Sequence, residues 1–190
     1  MVRFLSGMAI VMVAAAVVGT SAAPVPKPKP IPREQIPNTN ALLKRHLEKV
    51  TFTRSTEWQG WETRKAFDGN LETSWFSAQG DTAAAGKTPW LAVTFPVDVK
   101  VSRVTVFGNR EPQSPTGYFS LEGRLELLDE AGRSVVRIER EPKGQKWDFD
   151  FLLAEPYGPV RTVRFTSLKD ETGEGESQGQ CVGIAEIHVE

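Results

Sequence analysis

A single cysteine in 190 residues, Cys181, excludes any internal disulfide, so stability has to come from a core or a bound ion. Histidine is almost as scarce. His46 follows a proline-rich stretch and His188 sits near the end of the chain, which leaves a His-based catalytic triad or a multi-His zinc site short of members. No apolar run reaches the ~20 residues of a membrane-spanning helix; the longest, Phe4 to Val18, falls short. Beyond Thr51 a basic excess is also missing. Sixteen Lys/Arg stand against twenty-two acids there, which removes the footprint of a nucleic-acid binder and disfavours contact with an anionic membrane.

Two glycine-bearing stretches fail as phosphate loops. Ahead of Gly86-Lys87-Thr88 the preceding glycine is Gly80, one residue too far, and Pro89 opposes the helix such a loop must open. Gly173, Gly175 and Gly179 have the wrong spacing for a dinucleotide loop, and Glu174 and Glu176 between them repel phosphate; a solvated acidic hairpin is expected instead. Asp148 and Asp150 share a strand face and suit paired catalytic carboxylates or metal ligands, but the aromatic residues opposite them fit an ordinary half-buried strand better. The chain reads as a non-enzyme.

What is present divides the chain into four. Residues 1–22 read as a signal peptide: one charge at Arg3, the apolar run, then Thr20-Ser21-Ala22-Ala23 before Pro24, with cleavage expected after Ala22 and an uncleaved anchor as the alternative. A secreted or cell-envelope location follows. Residues 23–38 read as a linker, since Pro24 to Pro37 holds six prolines and suits an extended polyproline-type spacer. Residues 39–50 predict a short helix, capped by Asn40, with Leu42, Leu43, His46, Leu47 and Val50 on one side to dock on the domain edge.

From Thr51 to Glu190 the pattern changes to period two. Leu91 to Phe95, Val101 to Val106, Trp147 to Phe151, Val160 to Leu168 and Val182 to Val189 all read as strands. Leu125 to Leu128 and Val135 to Ile138 flank Asp129-Glu-Ala-Gly132 as a hairpin. With no helical stretches between them, these strands predict an all-β antiparallel β-sandwich or jelly roll. About 140 residues bury ~68% of their unfolded surface, enough for one core. Trp90 and Trp147 are expected in that core. Trp58 and Trp61 break strand alternation, so at least one is expected at the surface.

The most informative stretch is Lys65-Ala-Phe-Asp68-Gly69-Asn70-Leu-Glu-Thr73-Ser-Trp75. A carboxylate, a permissive glycine and a hydroxyl within a tight loop turn several oxygens inward, as a hard cation such as Ca²⁺ requires. A plain Asp-Gly-Asn turn reads equally well from the residues alone.

The stretch Asp68-Gly69-Asn70-x-x-Thr73-x-Trp75 resembles the first loop of discoidin (coagulation factor V/VIII C-type) domains and of family 32 carbohydrate-binding modules. Thr53 to Glu57 is similar to the strand ahead of that loop, and Gly183-Ile-Ala185-Glu186-Ile187 to the closing strand. The likeness spans about Thr51 to Glu190 and implies a galactose-binding-domain-like sandwich. It also implies one structural Ca²⁺, held by carbonyls of Lys65, Asn70 and Ala185, side chains of Asp68 and Glu186, and Thr73 through carbonyl and hydroxyl. For the ligand it implies Glu57 and Arg110 as partners of sugar hydroxyls. Trp58, Trp61, Phe76 and Tyr118 add candidate aromatic platforms. Relatives often follow the Trp with a histidine and then an aromatic; here Phe76 and Gln79 stand at those places. The implied function is non-catalytic binding of a glycan or cell-surface ligand. A protein-interaction or envelope-structural module is the alternative, and lipid binding a third.

Overall fold

The computed structural model describes residues 30–114, 117–144, 146–171 and 180–190. The expected signal peptide, the linker up to residue 29 and most of the acidic hairpin at Glu174–Gln180 lie outside the described residues. Alternation of apolar and polar side chains produces seven strands: β1 Thr51–Arg54, β2 Trp75–Phe76, β3 Trp90–Gly108, β4 Ser120–Leu128, β5 Ser134–Arg140, β6 Phe149–Asp170 and β7 Gly183–Val189. All their pairings are antiparallel, in the order β2-β7-β3-β6-β4-β5 with β1 also on β3.

Two strands are far longer than their alternation predicts. The runs at 91–95 and 101–106 are one strand, β3, and those at 149–151 and 160–168 are one strand, β6. Register shifts between Thr94 and Arg103 separate two halves of the β3–β6 ladder. The first half of β3 pairs with β1 and with Thr162–Thr166, which continues through β4 to β5. Its second half pairs with β7 and with Phe149–Leu152. Each long strand thus serves both layers of a β-sandwich, and strands that switch layers make its corners.

The inward-facing alternates fill the space between. Leu91, Val93, Val104, Val106, Leu125, Leu127, Phe149, Phe151 and Phe165 are all buried, and the rings of Phe149 and Phe165 lie 5.0 Å apart. At roughly 25 cal/mol per Å² of apolar area removed from water, each such side chain contributes about 1.5–3 kcal/mol. The hairpin predicted at Asp129–Gly132 forms, with Leu127 opposite Val136.

One expectation fails locally. Trp90 and Trp147 are half-buried rather than core; β6 begins at Phe149, and Trp147 sits in the turn before it with φ +57, stacked on Phe119 at 5.5 Å. Asp148 and Asp150 are half-buried opposite the buried Phe149 and Phe151, as an ordinary half-buried strand requires, and both are ion-paired. Asp148 is paired with Arg110 and Asp150 with Arg103, both at 2.7 Å.

The N-terminal segment belongs to the domain from Ile31 onward. Ile36, counted above with the spacer, is fully buried, because a 3-10 turn at Arg33–Gln35 swings it inward. The short helix α1, Ala41–His46, docks through Leu42 and Leu43. Asn40 does not cap it with its side chain. Its amide instead donates to the Ile187 carbonyl, and its side-chain oxygen accepts from the Val189 N–H, both at 2.9 Å. The N-terminal segment is thereby fastened along β7.

Candidate functional site

At one end of the sandwich a tight turn, Trp58-Gln59-Gly60-Trp61, closes with the Trp61 N–H on the Trp58 carbonyl at 3.0 Å. Gly60, at φ +91, supplies the left-handed conformation this turn needs. The turn is bonded to β2: Trp58 N–H donates to the Phe76 carbonyl at 2.9 Å, and Phe76 N–H to the Trp61 carbonyl at 3.3 Å. This places the tryptophans beside Phe76. On its other side Phe76 meets Tyr118, whose carbonyl accepts from the Gly183 N–H of β7 at 2.8 Å.

Trp58, Trp61, Phe76 and Tyr118 therefore line one cleft of about 170 Å³, together with Ser114 and Cys181. Neighbouring rings meet edge to face, Trp61 against Phe76 at 5.7 Å and Phe76 against Tyr118 at 5.2 Å. Such edge-to-face contacts fix the walls before any ligand arrives. Trp58 is 37% exposed while Phe76 is buried, so the former forms the rim and the latter the floor. Cys181 is buried, and its thiol is pushed up to about 12 by burial and then by the Asp170 charge. It is a packing residue in this wall.

Four of the six expected ligand residues thus converge. The other two are engaged within the fold and do not line the cleft. Glu57 Oε2 accepts from both the N–H and the hydroxyl of Thr63, at 3.0 and 2.8 Å, and Oε1 accepts from Arg54 at 2.6 Å. Arg110 donates through Nη2 to both oxygens of Asp148, at 2.9 and 2.7 Å, and lies 5.2 Å from the Phe107 ring centre. Their residue types matched a sugar site, but residue type does not show that Thr63 and Arg54 nearby, and Asp148 across the fold, already engage them.

Asn109 is a residue the sequence reading missed. Buried beside the cleft, its side-chain oxygen accepts from Ser74 and from the Glu111 N–H, both at 3.0 Å, while its amide donates to the Ser114 carbonyl at 2.6 Å. It thereby positions Ser114. Only its place at the start of a proline-bearing loop hints at this.

The Asp68 loop lies against β7. Asp68 Oδ1 accepts the Asn70 N–H at 2.8 Å, the Thr73 hydroxyl stands 2.9 Å from Asp68 Oδ2 and 2.9 Å from the Asn70 carbonyl, and Gly69 N–H donates to Glu186 Oε2 at 2.9 Å. Gly69 is held at φ +79, and a Cβ on it would stand 2.3 Å from the Gln35 carbonyl oxygen. Lys65 lies in the 3-10 turn Thr63–Phe67 just before, and Ala185 in β7 beside Glu186.

Glu186 is the unusual member. It is fully buried, and its Oε1 has no partner among the described residues. Burial, and after it the Asp68 carboxylate, push its carboxyl up to about 9; burial also raises Asp68. The described residues hold no group of three His, Cys, Asp or Glu side chains suited to a metal. The set here is two carboxylates among hydroxyl and carbonyl oxygens. An orphaned carboxylate oxygen in such surroundings fits a hard cation and no soft one.

A two-layer antiparallel sandwich closed by long layer-switching strands, with an aromatic cleft at one end, defines a known architecture. No family model matches the chain, and no curated protein matches its sequence. Solved structures do. The family 32 carbohydrate-binding module of NanJ from Clostridium perfringens, in complex with galactose, superposes with a TM-score of 0.61 at 16% identity, covering 76% of this chain and 95% of that one. A fucose-binding module from Streptococcus pneumoniae gives 0.55 at 13% identity over 75% and 93%. The lectin domain of lectinolysin, complexed with Lewis b antigen, gives 0.55 at 16% over 75% and 92%. The chain has the galactose-binding-domain-like fold of these modules, as the Asp68–Trp75 stretch led one to expect.

Proposed function

We propose that the chain is a non-catalytic carbohydrate-binding module that works outside the cytoplasm, with the aromatic cleft as its sugar site and a structural calcium ion at the Asp68 loop. The observation that carries the reading is the convergence of Trp58, Trp61, Phe76 and Tyr118 on one cleft. Sugar rings present an apolar C–H face and an equatorial rim of hydroxyls. Aromatic walls bury the former with little loss of side-chain entropy.

Trp58, being the exposed wall, stacks on the ring, and Phe76 forms the floor. Ser114, which lines the same cleft, offers a hydroxyl to the sugar's rim, and Tyr118 supplies a further aromatic wall. Glu57 and Arg110 act at one remove: Glu57 holds the turn after the tryptophans, and Arg110 holds the base of the 109–114 loop. The solved neighbours named above, a galactose complex, a fucose-binding module and a Lewis b complex, support this class of ligand.

Calcium would be held by Asp68 and Glu186, with carbonyls of Lys65, Asn70 and Ala185 and both oxygens of Thr73. When bound it would supply two positive charges that let the buried Glu186 and the half-buried Asp68 both ionise, and would so join the first loop to the last strand. It takes no part in chemistry at the cleft.

A glycan-array screen of the chain tests the reading. Capture of a related group of glycans, lost in Trp58→Ala, is expected. A blank array for a calcium-loaded, folded protein would overturn it.

A further inference from the structure

A second hollow lies on the N-terminal segment and shares no lining residue with the aromatic cleft. It measures about 380 Å³ and is lined by Arg33, Asn38, Ala41, Lys44 and Arg45. Three of these five are cations and none is an acid. Buried anchors fix their places: Ile36 pins the turn that carries Arg33, and Leu42, Leu43 and Asn40 pin the helix that carries Lys44 and Arg45. Asn38 steadies one of them, accepting from Lys44 Nζ at 3.1 Å.

None of the three has an ion-pair partner among the described residues. Of the ten arginines beyond Thr51, Arg54, Arg103, Arg110, Arg124, Arg133, Arg137, Arg161 and Arg164 form ion pairs among the described residues, whereas Arg64, Arg140 and the lysines there do not. Lys44 and Arg45 suit the negative end of α1, but Arg33 lies outside that helix and opens on the same hollow. His46 reports the local field, being lowered first by burial and then by Arg45 and Lys49.

We propose that this hollow is a second binding site, for the sulfate or phosphate esters of an anionic polysaccharide. Converging unpaired cations call for a group that carries several oxygens and more than one charge at close quarters, which such esters supply along a chain. A membrane surface is the poorer match. Among the described residues the exposed large apolar side chains are Trp58, Leu71, Val97, Leu152 and Tyr157; none of these lies between residues 31 and 50, and Leu42 and Leu43 face the core. The site therefore has no wedge to insert into lipid.

Heparin, a densely sulfated polysaccharide, is the probe. The full chain should bind it with an affinity that falls steeply as salt rises, because bound counterions are released. The triple variant Arg33→Ser/Lys44→Ser/Arg45→Ser should lose about tenfold or more and show a flatter salt dependence. All three side chains reach the surface, so its melting temperature should hold; if it does not, Arg45→Ser alone should still weaken heparin binding and flatten the salt dependence. Trp58→Ala, which disables the aromatic cleft, should bind heparin as the wild type does. That result separates this site from the sugar reading. Equal binding of de-sulfated heparin, equal binding by the variants, or binding to phosphatidylglycerol vesicles in place of heparin would overturn the proposal.

Discussion

Asn40 and Val189 are 149 residues apart in sequence and share a buried hydrogen bond, the Asn40 side-chain oxygen accepting the Val189 N–H at 2.9 Å. The same side chain serves the Ile187 carbonyl. Asn40→Ala should therefore leave one buried donor and one buried acceptor without partners, at a cost of about 2–4 kcal/mol. Chemical denaturation of the variant checks this. A loss under half a kilocalorie would mean that the N-terminal segment is not fastened to β7.

Arg110 is held by Asp148 across 38 positions, and the pair is only partly exposed, at 19% and 29%. Asp148 also accepts the Gly108 N–H at 3.0 Å. Arg110→Ala should lower stability by about 1–2 kcal/mol, between the values for exposed and buried pairs. Its effect on sugar binding should be smaller than that of Trp58→Ala. An unchanged melting temperature with binding abolished would instead make Arg110 a direct contact.

Calcium should raise the melting temperature relative to chelator, and Asp68→Ala should erase the difference. At a hundred times its dissociation constant the ion stabilises by ~2.7 kcal/mol. Glu186→Gln distinguishes this from a general salt effect. Because burial and the Asp68 charge already favour the neutral form of Glu186, the glutamine should keep the stability of the calcium-free protein while removing the response to calcium. Identical midpoints for the wild type with calcium and with chelator, once residual metal is removed, would contradict the calcium reading.

Cys181 offers a probe of the cleft wall. Its thiol is buried and pushed up to about 12, and only the thiolate attacks a disulfide reagent. At neutral pH the folded protein should resist such a reagent, and one equivalent should react on unfolding. Rapid reaction of the folded protein would show that the wall behind Phe76 and Tyr118 is open.

The parts of this protein that were legible in its sequence are those whose partners are close along the chain. Thr73 reaches Asp68 and Asn70 within the same loop, and the glycine between them permits it, so the Asp68–Trp75 stretch signalled both loop and fold. Alternation gave the strands for the same reason. Partners across the sandwich leave no such mark. Arg110 had the residue type of a sugar ligand, yet Asp148, 38 positions on, already engages it; Glu57 is engaged close by, by Arg54 and Thr63, which residue type alone does not reveal. Ile36 was hidden among prolines, although one 3-10 turn suffices to bury it. β3 read as two strands because Pro96-Val97-Asp98 interrupts the alternation where the strand passes between layers.

The central claim is that the aromatic cleft holds the apolar face of a sugar. Isothermal titration of the wild type and of Trp58→Ala with a galactose- or fucose-terminated oligosaccharide tests it most directly. The wild type should bind at roughly micromolar to millimolar strength, about −8 to −4 kcal/mol, and the variant should lose most of that while melting at the same temperature. Equal affinities for the two proteins would contradict the account.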